Sequence, residues 1–148
     1  MFAAIPSLTL CTVLLAGCIP AAGIGGAKAE LLANDETCVV IRVAEGDTSK
    51  SLYDALAVFD EAGDIAIGGS DSEYGFYLTS LNGVEADNEH YWAVYTTLGE
   101  LDGVSYSNAE YGTWKYEGET LASASYGVSG LPLAEDALFA IVWTSLDS

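Results

Sequence analysis

For any chemistry it performs, the chain offers one histidine, three cysteines and a large excess of carboxylates. A single imidazole, His90, excludes a metal site built on two histidines, and no serine or cysteine stands at a spacing that pairs it with His90 as nucleophile and base. Cys11 and Cys18 fall within or beside an apolar N-terminal run, whereas Cys38 opens a β-branched stretch in which packing is the ordinary role of a thiol. Carboxylates are so frequent that pairs such as Asp60 with Glu61, or Asp71 with Glu73, meet without a functional cause. Asp71-Ser72-Glu73 and Asp87-Asn88-Glu89 cluster loop oxygens of the kind calcium takes, but neither follows a calcium-loop pattern. Gly68-Gly69 precedes no helix at phosphate-loop spacing. These residues predict no catalytic set, no metal and no resident cofactor, and hence a binding or display protein rather than an enzyme.

The elements that would carry such a protein begin with an export signal. Residues 1–17 contain no charged side chain, and 8–15 are apolar apart from Thr9 and Thr12, a length suited to a signal core and too short for a membrane span. The run closes on Leu15-Ala16-Gly17-Cys18, which resembles the lipobox of bacterial lipoproteins. That resemblance implies lipidation of Cys18, removal of residues 1–17, and an extracytoplasmic protein anchored to the membrane by its N-terminal lipid. No Lys or Arg follows Met1, a departure from the usual positive start of such signals. On this reading Cys11 leaves with the signal, Cys18 is acylated and Cys38 stays alone, so no internal disulfide is expected.

Every charge lies beyond Cys18, and 22 acidic against 4 basic residues give a formal net charge of −18. Nucleic acid and anionic lipid surfaces are therefore poor partners, with no nucleic-acid partner expected, while the charge favours a well-solvated surface. The chain after Cys38 is long enough for one core without disulfide or metal staples.

Residues 18–36, rich in alanine and glycine, read as a flexible tether, and 37–148 as one domain. Residues 38–43 form a first strand, after which Thr48 or Ser49 caps a helix with Leu52, Ala55, Leu56 and Phe59 on one face and Gly63 at its end. A strand over 74–81 turns at Asn82-Gly83 and returns over 91–95. A hairpin follows, with strands at 112–116 and 120–125 about a turn at 117–119, and 137–144 closes the sheet as a buried strand. One helix packed on a mostly antiparallel sheet is α+β. Such a sheet has one fully covered face, so some of the many rings among Tyr74, Phe76, Tyr77, Tyr91, Trp92, Tyr95, Tyr106, Tyr111, Trp114, Tyr116, Tyr126 and Trp143 must lie on the other face or at loop rims.

The residues 74–84 (Tyr-Gly-Phe-Tyr-Leu-Thr-Ser-Leu-Asn-Gly-Val), Tyr91-Trp92-Ala93-Val94-Tyr95, and Gly127-Val128-Ser129 with Leu131 and Leu133 resemble the C-terminal domain of transcobalamin and intrinsic factor. Bacterial surface proteins carry a similar domain. Glu45-Gly46-Asp47-Thr48 with Leu52-Tyr53-Asp54-Ala55-Leu56 fits the same pattern, so the resemblance spans about residues 39–144, with 98–118 reading as an inserted hairpin. It implies a β-grasp-like sheet around the helix and a ligand of the cobalamin or corrinoid class. By position, the ligand contacts would be Thr79, Ser80, Leu81 and Asn82, Trp92, and Tyr126, Gly127 and Val128. A corrin-like ring needs broad apolar contact and a few hydroxyl or backbone donors, which this set contains. His90 reads as a loop histidine with cobalt coordination as its chemical alternative. The resulting expectation is a lipid-anchored small-ligand module, the alternative being a surface module that meets an envelope protein and takes no small ligand.

Overall fold

The computed structural model describes residues 19–73 and 75–146, with side chains from residue 23 onward. The signal segment 1–17, the expected lipidation site Cys18 and Tyr74 lie outside these residues. In chain order the elements are β1 (Ile19–Ile24), β2 (Ala27–Asn34), β3 (Cys38–Glu45), β4 (Asp47–Ser51), α1 (Leu52–Glu61), β5 (Ile67–Ser72), β6 (Gly75–Leu81) and β7 (Val84–Glu85). They continue with β8 (His90–Thr96), β9 (Glu100–Leu101), β10 (Val104–Ser105), β11 (Ser107–Tyr116), β12 (Glu119–Ala124), a 3-10 turn (Val128–Gly130), β13 (Pro132–Leu133) and β14 (Leu138–Ser145). The fold is α+β, mostly antiparallel sheet with a single α-helix among the described residues.

Seven strands form the main sheet in the order β1-β2-β3-β14-β8-β12-β11, and β5-β6-β7 form a separate small sheet. Strand alternation gives the main sheet two unlike faces. On one, Val39, Ile41 and Val43 of β3, Phe139 and Ile141 of β14 and Trp92 of β8 pack with Leu52, Ala55, Leu56 and Phe59 of α1 and with Leu81 of the small sheet. On the other lie Cys38, Val40, Leu138, Ala140, Leu121 and Tyr116, flanked by Tyr95, Trp114 and Val142.

The helix begins where its cap allows. Ser51 accepts from the Asp54 backbone N–H while the Asp54 carboxylate accepts from the Ser51 N–H at 2.8 Å, a reciprocal capping box. The cap is thus two or three residues later than Thr48 or Ser49, because residues 47–51 are held as β4 against β13. Gly63 ends the turn with φ of 84°, and its N–H donates to the Asp60 carbonyl.

Two further expectations are corrected. Residues 18–36 are no flexible tether: 19–24 and 27–34 are β1 and β2, joined through Gly25 at φ 61° and Gly26 and paired to the edge of β3. Alanines that suggest a loose chain by composition recur here at alternate positions. Ala27, Ala29 and Leu31 therefore face the helix-covered core with at most 1% exposure. At Leu32 the pairing slips by one residue, so Ala33 turns to the opposite face and joins Val40. Cys38 is also not alone, for it is disulfide-bonded.

The pairing expected between 74–81 and 91–95 is likewise replaced. Asn82 (φ 53°) and Gly83 (φ 85°) do form a two-residue turn, but the strand returning from it is β7, and β8 crosses to the main sheet between β14 and β12. The redirection sits at Asp87, whose carboxylate accepts from the backbone N–H groups of Glu89 (2.7 Å) and His90 (2.8 Å). The hairpin β11–β12 turns on Glu117-Gly118 as expected in outline, and Asp102-Gly103 makes a third turn of the same kind between β9 and β10. The closing strand is β14, central in the sheet.

Candidate ligand-binding site

The eight residues carried over from the resemblance occupy unlike settings. Three belong to the core: Leu81 (0% exposed), Trp92 (7%) and Val128 (2%). Trp92 donates its indole N–H to the Val84 carbonyl at 2.9 Å and tilts against Trp143, which pins β8 to the end of the small sheet. Thr79 and Ser80 are half-buried on β6, while Gly127 and Tyr126 are exposed.

Asn82 is committed to holding the fold. Its backbone N–H donates to Ala66 O at 2.7 Å, and its Oδ1 accepts from Ala66 N–H at 3.0 Å. Its Nδ2 donates to Asn34 Oδ1 at 2.7 Å and to the Asp35 carbonyl at 3.1 Å. One side chain therefore joins the small sheet, the loop after α1 and the β2–β3 turn. An asparagine suits the site twice over, since it tolerates the left-handed conformation and carries both a donor and an acceptor.

The late loop meets the opposite end of β6. Ser129 Oγ accepts from the Phe76 N–H at 2.8 Å, across 53 residues of sequence. Gly75, at φ 108°, lies so close that an added Cβ would stand 2.7 Å from Ser129 Cβ, so the contact requires glycine. Phe76 stacks on Tyr53 of α1 at 4.6 Å, and Tyr126 tilts against Tyr106 at 5.6 Å. The candidate residues are therefore split between the two ends of β6: the Asn82 turn is at one and the Tyr126–Val128 loop at the other.

His90 stacks on Trp143 with centroids 5.1 Å apart and 9° between planes, and its Nδ1 lies 3.4 Å from Asp87 Oδ1. The Asp87 carboxyl sits below its ordinary range, chiefly because the Glu89 N–H bonds it. Its Oδ1 serves the backbone turn of the segment considered for calcium. No group of three metal-ligating side chains comes together among the described residues.

Sequence reasoning missed Ser129 and the Asn34–Asp35 turn as partners of the motif residues. Neither contact leaves a local signal, since each spans about 50 positions, but Asp102-Gly103 was readable as a hairpin turn. It also left unassigned the row Tyr95, Trp114 and Tyr116, whose neighbouring rings lie 6.4 and 6.1 Å apart within 23° of parallel on the face away from the helix. Burial, with the neighbouring Tyr91 phenol, raises the Tyr95 hydroxyl above its usual pKa.

Compared with known proteins, the chain matches no family model, no curated protein and no solved structure.

Proposed function

We propose that the chain is an extracytoplasmic, non-catalytic binding module of the transcobalamin C-terminal type, with a β-grasp-like sheet clasping α1 and a cobalamin or related corrinoid as its ligand. The observation that carries this reading is the hydrogen bond from the Phe76 N–H to Ser129 Oγ at 2.8 Å. It joins the 74–84 segment of the resemblance to its late 127–133 segment in one rim at the start of β6. There Tyr126 is 47% exposed, beside Gly127. This rim offers an aromatic ring, backbone amides and a glycine-permitted close approach, the mixture that a flat macrocycle fringed with amides needs. Of the eight residues first singled out, Thr79, Ser80, Tyr126 and Gly127 retain accessible surface for direct contact. Leu81, Trp92 and Val128 are buried in the core, and the half-buried Asn82 is committed to its bonds with Ala66, Asn34 and Asp35.

Titration of the full chain with cobalamins, read by calorimetry and by the corrin visible spectrum, tests the assignment. Saturable heat with a spectral change that Tyr126→Ala weakens is the expected result; silence at about 1 mM ligand, a concentration that would reveal even feeble binding, ends it.

A second reading, in which the domain meets an envelope protein, draws on β11. Between its pairs Asn108 with Ser123 and Thr113 with Ala122, four residues leave the ladder and project Tyr111 at 80% exposure from the sheet edge. Loss of a co-purifying envelope protein on Tyr111→Ala, with no chromophore bound, favours this reading over the first.

Membrane attachment through lipid on Cys18 belongs to the same proposal. Labelled fatty-acid incorporation that Cys18→Ser abolishes is its test.

A further inference from the structure

Two hairpin turns of this fold share a sequence pattern and a backbone shape. Leu81-Asn82-Gly83-Val84 and Leu101-Asp102-Gly103-Val104 differ at one position. Asn82 and Asp102 both stand at φ 53°, followed by Gly83 at 85° and Gly103 at 84°. In each, the flanking Leu and Val are the Cα partners that close a two-residue loop. Gly83 and Gly103 are both exposed, with open space where a side chain would stand. The turns differ in what holds their first residue. Asp102 is exposed and makes no side-chain hydrogen bond among the described residues. Asn82 is half-buried, and its carboxamide is bonded at both ends. The Ala66 N–H donates to its Oδ1 at 3.0 Å, and its Nδ2 donates to Asn34 Oδ1 at 2.7 Å and to the Asp35 carbonyl at 3.1 Å.

Asparagine followed by glycine is the dipeptide most prone to deamidation, because glycine has no side chain to shield its amide nitrogen. In that reaction the Gly83 nitrogen attacks Asn82 Cγ, the Cγ–Nδ2 bond breaks, and ammonia leaves with the proton that the Gly83 nitrogen gives up. Water then opens the resulting cyclic imide at either carbonyl, leaving aspartate or isoaspartate. The attack requires the carboxamide to rotate onto the Gly83 nitrogen and Nδ2 to depart. Each of the three side-chain bonds opposes that rotation.

We propose that Asn82 is a fold-gated modification site, closed to deamidation while the small sheet is fastened to the β2–β3 turn and open to it whenever that contact parts. The change runs one way. Aspartate at position 82 has no donor for Asn34 Oδ1 and the Asp35 carbonyl, and it sets a negative charge against those oxygens. Isoaspartate adds a methylene to the main chain, which a two-residue loop between paired strands does not accommodate. A chain that has once opened is thus marked at Asn82 and refastens less well. The loosening falls at the end of β6 opposite the Ser129 contact.

Asp102→Asn makes the two turns identical in sequence and supplies an internal reference at an exposed position. The full chain with this substitution is incubated at mildly alkaline pH, with and without urea, and conversion at both positions is followed by peptide mass after digestion. The folded chain should convert at position 102 several-fold faster than at Asn82, and urea should bring the two rates together. Adding Asn34→Ala, which removes one acceptor of Nδ2, should speed conversion at Asn82 several-fold in the folded chain and leave position 102 unchanged. Chains isolated after conversion at Asn82 should show faster amide exchange at residues 33–36 than unconverted chains, with β14 unchanged. Equal rates at the two positions in the folded chain, or a difference that persists in urea, overturns the gating. Converted chains that exchange like unconverted ones overturn the one-way change.

Discussion

The ribbon β1–β2 and the central pair β3–β14 belong to one sheet and are built from opposite materials. The central pair is dense in branched and aromatic side chains, with Val39, Ile41, Phe139 and Ile141 at no more than 1% exposure. Beside it, β2 contributes alanines and one leucine facing inward, with Lys28, Glu30 and Leu32 at the positions between. Yet Ala27, Ala29, Leu31 and Ala33 are buried just as completely. Burial here follows from alternation and from the neighbour each strand pairs with, and hydrophobic content sets only how much that burial stabilises. The ribbon is thus an integral strand pair whose stability is borrowed from the centre.

The contrast is broken most sharply at its strong end. Phe139→Ala empties a ring site between β14 and α1 and should destabilise the domain by about 3–5 kcal/mol in chemical denaturation. Trp114→Ala, on the half-covered face, removes a partly exposed ring and should cost about 1–2 kcal/mol. Equal losses would mean that both faces are equally packed, against the asymmetry described above.

Within the ribbon, Leu31 is the decisive residue, since a tether leucine would contribute nothing. Opposite Ile41 and fully buried, it should cost about 2–4 kcal/mol on replacement by alanine, with the unfolding transition remaining single. A loss near zero would return residues 19–34 to the role of a linker.

The ribbon and the central pair also differ in how far the sequence announced them. The central strands were legible because β-branched residues at 38–43 and a continuous apolar run at 137–144 admit few other structures. α1 was legible from its 3.6-residue period, and the Asn82-Gly83 and Glu117-Gly118 turns from residues that favour positive φ. The ribbon was not, because Ala and Gly carry little strand preference and Gly25-Gly26 reads equally as a turn or as a linker. Nor was the partner of β6, which depends on where Asp87 sends the chain after only two residues of β7. At the candidate site, the types of the residues could be chosen from the sequence but not their exposure. Asn82 and Trp92 were singled out as ligand contacts by their position in the resemblance, and their amide and indole groups hold the sheets together through Asn34, Ala66 and Val84.

Asn82 gives the third test, because it fastens the far end of the ribbon to the small sheet. Asn82→Ala removes the two bonds to Asn34 and Asp35 and leaves the Ala66 N–H without its side-chain acceptor, and it forces a left-handed φ on alanine. A loss of about 2–3 kcal/mol is expected, with the amides of residues 33–36 exchanging faster than those of β14. Asn82→Asp keeps the acceptor for Ala66 and tolerates the turn but loses the donor, and should fall between the two. Uniform acceleration across the sheet would mean that the ribbon's end is not separately fastened.

The smallest effect comes from Asp47, which holds the ribbon's near end. Its carboxylate accepts from the Ser49 hydroxyl at 2.6 Å, from the Gly26 N–H at 2.9 Å and from the Ser49 N–H at 3.0 Å. The Ser49 hydroxyl is the main cause of a carboxyl held below its ordinary value, with the Gly26 N–H next. A folded-state value below that of the unfolded chain means that the ionised form favours folding. Its contribution is therefore complete above the unfolded carboxylate range, around pH 4, and is lost as pH falls through the lowered folded value. The side chain is only partly covered, so solvent screening keeps the effect small. Thermal melts of the native chain and Asp47→Asn should differ slightly at neutral pH, with the native chain more stable, and converge on acidification. Faster exchange at Gly26 in the variant, with β3 unchanged, would place that small difference at the turn between β1 and β2. A variant whose melts match the native chain at every pH would mean that the ribbon's turn gains nothing from Asp47 and is held by strand pairing alone.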